Sequence, residues 1–395
     1  MASIHVLHVA DTHLGYRQYG IIDREKDIYE AFSEVVEIAL SEHVDLVVHA
    51  GDFFDTARPP PQAILSAIRG LRKLKEKGIP VYAVLGDHDT PKRVSTPPLI
   101  VLEELGYLHV LGYKASPENY RLRARTRSGE VFVAGVSNLK GIMTRVLPER
   151  LKLVSSPPHG IPSILILHQA LREFSPFYEL SVTELPRGYS YYALGHIHTY
   201  NSMRLGEPLL AYPGAPEILK VDEIDDKGKG VIIAEVSAKG TISASLVKIK
   251  TLRPQYKLEL EASSTEELRE KLLQALTTLR PGRTGKKPIL HLKIKGQVAV
   301  NKKMVYTLIE KLIAGRLLAY RLNLEAPIAK EASEALELEG LDIRRLIEAK
   351  LRDKQLADLA YKLLMILGYS QGQKAVDDAL ALLKSYIEAR YGVKP

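Results

Sequence analysis

The sequence predicts an α/β fold: a layered β-sandwich flanked by helices, then a small α/β module, then a pair of C-terminal helices. Three observations carry this expectation. Short apolar runs recur through residues 4–249, each ending near a turn residue or a polar side chain of ligand type. Residues 254–327 repeat the order strand, helix, strand, helix, strand on a smaller scale. Residues 342–391 carry two apolar stripes at helical spacing. A chain of 395 residues also exceeds the size that one core usually fills, so two or three domains are expected.

In order, IHVLHVA, VDLVVHA, PVYAVLG, EVFVAGV, SILILH and YYALGH read as strands, with amphipathic helices at 23–41 and 61–77 between the first three. GVIIAEV and SASLVKI follow without helices between them, so parallel units come first and antiparallel strands later. The first domain is placed at 1–250. In the module at 254–327, YKLELEA leads into SSTEELREKLLQAL, where Ser264 and Glu267 have capping-box spacing. ILHLKIK, NKKMVYTLIEKLIA and LAYRLNL then give strand, helix and strand. Residues 328–341 form a linker. Helices follow at 342–367 and 373–391, around the turn GYSQG. Leu356, Leu359, Leu363 and Leu367 make one stripe; Val376, Leu380, Leu383 and Ile387 make the other. Two helices bury little alone, so they must dock on the body or on a partner.

Composition narrows the class. No run of about 18 uncharged apolar residues occurs, so no membrane span is expected. The start, MASIHVLHVADTH, enters a strand at once and lacks the charged region of a signal peptide. With no cysteine, any metal must be held by His and carboxylates, and an intracellular protein is expected. The net charge is +8, but residues 328–395 hold 11 Lys/Arg against 11 Asp/Glu. The surplus therefore lies in residues 1–327, as 44 minus 36. A polyanion partner is favoured, and the tail is not the part that meets it.

Five short segments place metal-capable residues just after apolar runs. They are Asp11-Thr-His13, Gly51-Asp52-Phe-Phe-Asp55, Gly86-Asp87-His88-Asp89, His168-Gln169 and Gly195-His196-Ile-His198. A strand end lets a side chain project into a crevice while the sheet fixes its backbone. Gly51, Gly86 and Gly195 are read as permitting sharp turns. Any one such segment alone is more often turn chemistry; five in order are not. The carboxylates of Asp11, Asp52 and Asp87 with the imidazoles of His13, His168, His196 and His198 are too many ligands for one ion and suit two. A shared carboxylate can bridge two cations about 3.5–4 Å apart, as two-metal hydrolysis of a phosphoester requires. Mixed oxygen and imidazole ligands accept Mn²⁺, Fe²⁺ or Zn²⁺, whereas a purely Mg²⁺ site uses fewer His.

DTH, GDFFD, GDHD, HQ and GHIH resemble the calcineurin-like metallophosphoesterase superfamily. Within it, HVADTHLGYRQYG, AGDFFDTARPPP and YPGAPE are similar to the text of the Mre-eleven/SbcD DNA-repair nucleases, and the resemblance extends over almost the whole chain. It implies a metallophosphoesterase β-sandwich with a DNA-capping module. It also implies a Mn²⁺-dependent nuclease, 3′–5′ exonuclease on duplex ends and endonuclease on single strands, in an archaeal cytoplasm. By position, Asp11, His13, Asp52 and His198 would hold one Mn²⁺. Asp52, Asp87, His168 and His196 would hold the other. His88 would be the non-ligand imidazole that meets the phosphate and protonates the leaving oxygen. Asp87 stands where the family usually has Asn, and adds a negative charge. Asp55 stands where many relatives have His, so it is placed behind the ligands with Asp89.

Arg17, Arg58, Lys92 and Arg93 follow ligand segments and are candidates for DNA phosphate contacts. Arg121, Arg123, Arg125 and Arg127 alternate along one strand, as a phosphate ladder or, in preference, a charged edge. The family implies a homodimer, with Ile64, Leu65, Ile68, Leu71, Leu99 and Leu102 as candidate contacts; core packing explains these residues equally well. The tail, 342–391, resembles the segment that binds the coiled-coil base of the Rad-fifty ATPase. Two other readings compete: a metallophosphoesterase acting on phosphoproteins or cyclic nucleotides, and a non-catalytic DNA-end tether. A chain stopping near residue 250 would suit the first, and loss of His88 or of ligands the second.

Overall fold

The computed structural model describes residues 3–91, 95–114, 116–139, 145–154, 156–262, 264–279, 285–295, 302–313, 315–324, 347, 351, 353–369 and 373–392. Two six-stranded mixed sheets form the body. The first runs β12-β11-β1-β2-β3-β4, with β1 at Ser3–Val9, β2 at Leu46–Ala50, β3 at Val81–Val84, β4 at His109–Val110, β11 at Gly230–Ser237 and β12 at Gly240–Lys248. The second runs β5-β6-β7-β8-β10-β9, with β5 at Arg121–Arg125, β6 at Glu130–Val136, β7 at Ser163–Leu167, β8 at Tyr191–Leu194, β9 at Asn201–Arg204 and β10 at Leu209–Tyr212. Parallel pairing is therefore not confined to the early units: β6-β7-β8-β10 is parallel as well.

Alternation along the strands fixes the layers, because successive side chains leave opposite faces of a sheet. Ile4, Val6, Leu46, Val48 and Val84 meet Val131, Val133, Ile164, Ile166 and Tyr191 between the two sheets. Leu7, Val9, Val47, Val81 and Ala83 pack outward against α1 (Ile22–Ser41) and α2 (Pro61–Glu76) through Phe32, Val35, Val36, Leu71 and Leu74. α3 (Pro98–Glu104) adds Leu99, Ile100 and Leu102 to that core. On the far side, α4 (Leu147–Leu153) covers Val136, Leu165, Leu167 and Leu194. Leu71, Leu99 and Leu102, for which dimer contact and core packing read equally well in the sequence, are core residues. The large exposed apolar residues of α2 and α3 are Leu65 and Val101, with Leu105 exposed at the C-cap of α3.

By its contacts the chain forms two compact units. The first comprises Met1–Glu261, Arg269–Lys295 and Glu310–Leu324; the second comprises Ala262–Leu268, Gly296–Ile309 and Glu325–Pro395. A three-stranded parallel sheet, β13-β14-β15 (Gln255–Glu261, Ile289–Lys295, Ala319–Leu324), lies in the first. The helices between its strands are α5 (Thr265–Thr278) and α6 (Lys302–Ile313). At the start of α5 the Glu267 N–H donates to Ser264 Oγ at 3.1 Å, a bond of the expected capping box.

Buried charge ties this small sheet to the body within the first unit. Asp27 on α1 accepts from Arg24 at 2.7 Å and from Arg253 at 2.6 Å, and Lys286 Nζ lies 3.0 Å away. Burial opposes the Asp27 carboxylate, but Arg253, Arg24 and Lys286 together hold its pKa below the ordinary value. Gln255 on β13 donates to Gln18 at 3.1 Å.

In the second unit α7 (Lys354–Tyr369) and α8 (Gln373–Tyr391) pack on each other around Ala357, Leu359 and Ala379. The expected stripes differ here. Leu356, Val376 and Leu380 are exposed, with Leu364 and Met365 beside them on the same helices. Most of 342–353, expected as helix, lies outside the described residues, as does the side chain of Leu367. Among the described residues, no helix is long and apolar enough to cross a membrane.

Candidate metal centre

The five ligand segments meet at one edge of the sandwich, where β1, β2, β3, β7 and β8 all end. Both sheets contribute. Their loops are laced together by backbone bonds: Asp11 N–H to Gly51 O at 2.9 Å, His13 N–H to Asp52 O at 3.0 Å and Gly195 N–H to Leu167 O at 3.0 Å. Asp11, His13, Asp52 and His196 have φ of 54°, 43°, 51° and 88°. Side chains rarely tolerate that left-handed conformation, and non-Gly residues held there gather at functional sites. Gly51 does turn sharply, at φ 86°. Gly86 and Gly195 act otherwise: a Cβ would stand 2.1 Å from Asp52 Oδ1 at the first and 1.9 Å from Ala50 O at the second. Their role is close approach between loops.

Two four-residue clusters result, joined by one residue, and a third group of His13, Asp55 and His88 overlaps the first at His13. Asp11, His13, Asp52 and His198 converge, and Asp52, Asp87, His168 and His196 converge beside them. Asp52 Oδ2 lies 3.6 Å from His13 Nε2 and 3.4 Å from His168 Nε2. Asp87 Oδ1 is 3.3 Å from His168 Nε2 and 3.2 Å from His196 Nδ1. His198 Nε2 is 3.8 Å from Asp11 Oδ1, and 3.3 Å from His13 Nε2. All seven expected ligands are therefore together.

The Nδ1 atoms show which ring nitrogens are free. His13 Nδ1 faces Asp55 Oδ1 at 3.2 Å, His198 Nδ1 faces Glu223 Oε1 at 2.8 Å, and His168 Nδ1 faces Ala50 O at 2.7 Å. Each partner is an acceptor, so each Nδ1 carries a proton and each Nε2 is the nitrogen turned toward the cluster and able to offer a lone pair to a cation there. His196 is reversed, presenting Nδ1 to Asp87 and holding Nε2 4.0 Å from Glu179 Oε1.

The electrostatics follow from this crowding. Burial disfavours ionised Asp52, yet the imidazoles of His168 and His13 hold its pKa below the usual range. Asp87 is depressed likewise, with His168 and His196 overcoming burial. His168 is raised well above its ordinary value: burial lowers it, but Asp52, Asp87 and Asp11 outweigh that. His13 is raised by Asp55, Asp52 and Asp11 against burial. Glu223 is held to about 2, because His198 and Lys229 overcome its burial.

His88 belongs to neither four-residue cluster and is 43% exposed, but its ring meets that of His13 edge-on at 4.6 Å. Its Nδ1–H donates to Asp55 O at 2.7 Å, and its Nε2 lies 3.9 Å from Asp87 Oδ2. Asp55, expected behind the ligands, holds both His13 and His88. Asp89 is fully buried; it accepts from the N–H groups of Phe53, Phe54 and Gly86 at 2.9–3.1 Å. Burial, with Asp52 nearby, pushes its carboxyl up to about 6.

The basic residues divide. Arg17 is paired with Glu25 at 2.5 Å, while Arg58 is exposed and makes no ion pair among the described residues. Lys92 and Arg93 lie outside the described residues. Arg121, Arg123 and Arg125 do share an exposed face of the edge strand β5. Arg127 does not join them: past the strand, it donates to the carbonyls of His43 and Val44 at 2.5 and 3.2 Å. Sequence reasoning missed Glu223, Lys229 and Glu179. None follows an apolar run, and Glu223 stands 25 residues beyond the His198 it holds.

A two-sheet sandwich whose strand ends gather two Asp/His clusters defines a metal-dependent phosphoesterase. The family model for calcineurin-like phosphoesterases matches residues 4–200. The Mre11 DNA double-strand break repair protein of Thermoplasma acidophilum is 34% identical over 91% of this chain and 93% of its own. That of Sulfolobus acidocaldarius is 34% identical over 78% and 79%, and that of Sulfurisphaera tokodaii is 37% identical over 75% of each. The chain belongs to the Mre11 family.

Proposed function

We propose that the chain is a Mn²⁺-dependent DNA nuclease that processes double-strand breaks, cleaving duplex ends 3′–5′ and single strands internally. The observation that carries this reading is the pair of Asp/His clusters sharing Asp52. Asp11, His13, Asp52 and His198 would hold one cation; Asp52, Asp87, His168 and His196 would hold the second. The residues fit such ions. With both Nδ1 atoms donating outward, the Nε2 lone pairs of His13 and His198 meet at 3.3 Å, which is repulsive unless a proton or cation lies between them. Imidazole mixed with carboxylate favours Mn²⁺, Fe²⁺ or Zn²⁺ over Mg²⁺. Two divalent cations bound there supply an activated water and neutralise charge on the phosphate.

The chain's own groups do the rest. The Asp55 carbonyl fixes the ring of His88 through its Nδ1–H, so that in the imidazolium form the second proton, on Nε2, is the one given to the leaving oxygen. Phe177 and Tyr178 are exposed immediately before Glu179, which faces His196, so two aromatic rings stand at the rim where a base could stack. Arg58, with Arg17, Lys92 and Arg93, is given the role of phosphate contact. The module at 254–327 is assigned to capping DNA. The exposed apolar residues of α7 and α8 are assigned to the coiled-coil ATPase, and Leu65, Val101 and Leu105 to a homodimer contact.

The test is incubation with duplex and single-stranded DNA under Mn²⁺ or Mg²⁺, beside His88→Ala. Metal-dependent cleavage that the substitution abolishes supports the reading. DNA binding with no cleavage under either metal overturns it in favour of a tether.

A further inference from the structure

We infer that Glu223, held by Lys229, is a positioning residue that keeps His198 in the one tautomer able to ligate a cation. It thereby sets the strength of the Asp11/His13/Asp52/His198 position alone. The inference rests on the proposed reading of the clusters as a divalent-cation centre.

The geometry is specific. His198 can offer Nε2 to a cation only if its proton sits on Nδ1, and that proton needs an acceptor. Glu223 Oε1 is that acceptor at 2.8 Å. Its other oxygen, Oε2, accepts from Lys229 Nζ at 2.7 Å and from the Leu219 N–H at 3.0 Å. Lys229 Nζ also donates to the backbone carbonyl of His198 at 2.7 Å. The pair therefore grips His198 by both ring and main chain. Glu223 and Lys229 are 5% and 3% exposed, so the grip is shielded from water.

The two cation positions are not backed alike. His13 and His198, both in the first cluster, are each backed by a carboxylate. His168, in the second, is backed by the neutral carbonyl of Ala50 at 2.7 Å, and no residue of the Glu223–Lys229 pair reaches that cluster's imidazoles by a hydrogen bond among those described. A carboxylate behind an imidazole raises its basicity as well as orienting it, so loss of Glu223 should be felt on one side of Asp52 only.

Glu223→Gln tests this with the shape kept. An amide has one acceptor oxygen where the carboxylate has two. His198 Nδ1–H and the Lys229/Leu219 donors would then compete for it. The full chain, stripped with a chelator, is titrated with Mn²⁺ in the absence of DNA, by calorimetry and by the electron paramagnetic resonance of free Mn²⁺. The wild type is expected to take up two ions. In the variant one should weaken about 10–100-fold, the size usual for losing such an outer partner, while the other stays within about twofold. Nitrogen-15 spectra of the metal-free chain, labelled at histidine, should show protonation at Nδ1 of His198 lost or mixed in the variant, while Nδ1 of His13 and of His168 stays protonated. The inference is overturned if both ions bind as in the wild type, or if both weaken equally. If the wild type itself takes up no Mn²⁺, the cation-centre reading falls, and the inference with it.

Discussion

His13 and His198 face each other Nε2 to Nε2 at 3.3 Å, each with its Nδ1 committed to a carboxylate behind it, Asp55 and Glu223. Neither nitrogen has a proton to give the other in that tautomer. The contact is therefore a cradle for a positive charge, and Asp11 and Asp52 complete it with oxygens.

Asp52 belongs to both clusters, so Asp52→Asn should weaken both cations rather than one. Cleavage should fall by more than the 10–100-fold usual for an outer partner. Mn²⁺ titration and DNA cleavage measured on the same preparation check it, and loss of one ion alone would contradict the bridge.

His88 lies outside both four-residue clusters. His88→Gln should leave Mn²⁺ uptake within about twofold and lower kcat by about 10²–10⁴-fold, the range for removing a positioned general acid. A variant that lost its metal would show that His88 is a ligand.

Asp87, which stands where the resemblance implies an Asn, carries its charge beside His168 and His196. Asp87→Asn should loosen the second cation several-fold, since a charged ligand is replaced by a neutral one. It should also lower KM for DNA, because one negative charge facing the phosphate is gone. Separate measurement of Mn²⁺ affinity and KM would show the two moving in opposite directions.

Asp27 neutralises Arg24, Arg253 and Lys286 where the small sheet joins the body. Asp27→Ala would take the carboxylate from buried Arg253 and leave Arg24 and Lys286 with Glu217 and Glu30 alone, a broken buried pair that typically costs about 3–5 kcal/mol. Urea unfolding should show that loss, and a change below about 1 kcal/mol would mean the cations find water instead.

His8 and His49 are fully buried and neutral, each with its pKa lowered by burial from 6.5 to about 3. A depressed base binds its proton later in the fold than in the unfolded chain. Stability is therefore complete above about pH 6.5 and is lost as pH falls toward 3, at about 1.4 kcal/mol per pH unit for each histidine. His8→Phe should flatten the slope by one histidine's share, read as the unfolding midpoint between pH 7 and pH 5.

The ligand types and their order were legible because metal chemistry fixes which side chains can serve, and strand ends fix where they can stand. Asp11, His13, Asp52, Asp87, His168, His196 and His198 all lie where that logic puts them. The residues behind them were not legible. Glu223 sits in the charged stretch KVDEIDDKGKG, where nothing distinguishes it from its solvated neighbours. Glycine gave the right positions for a partly wrong reason, since a sequence shows flexibility and not the carbonyl or carboxylate that a Cβ would strike.

By itself, then, the sequence determined the layered α/β class, the strand that ends at each ligand and the apolar residues available for burial. Those are local matters of periodicity and side-chain chemistry. Only the tertiary structure decided which apolar residues remain outside, such as Leu65, Val101, Leu356 and Leu380. It also decided that β7 and β8 from the second sheet would meet β1, β2 and β3 from the first. Which nitrogen of each histidine is free depends on an acceptor brought from far along the chain, and no local pattern encodes that distance.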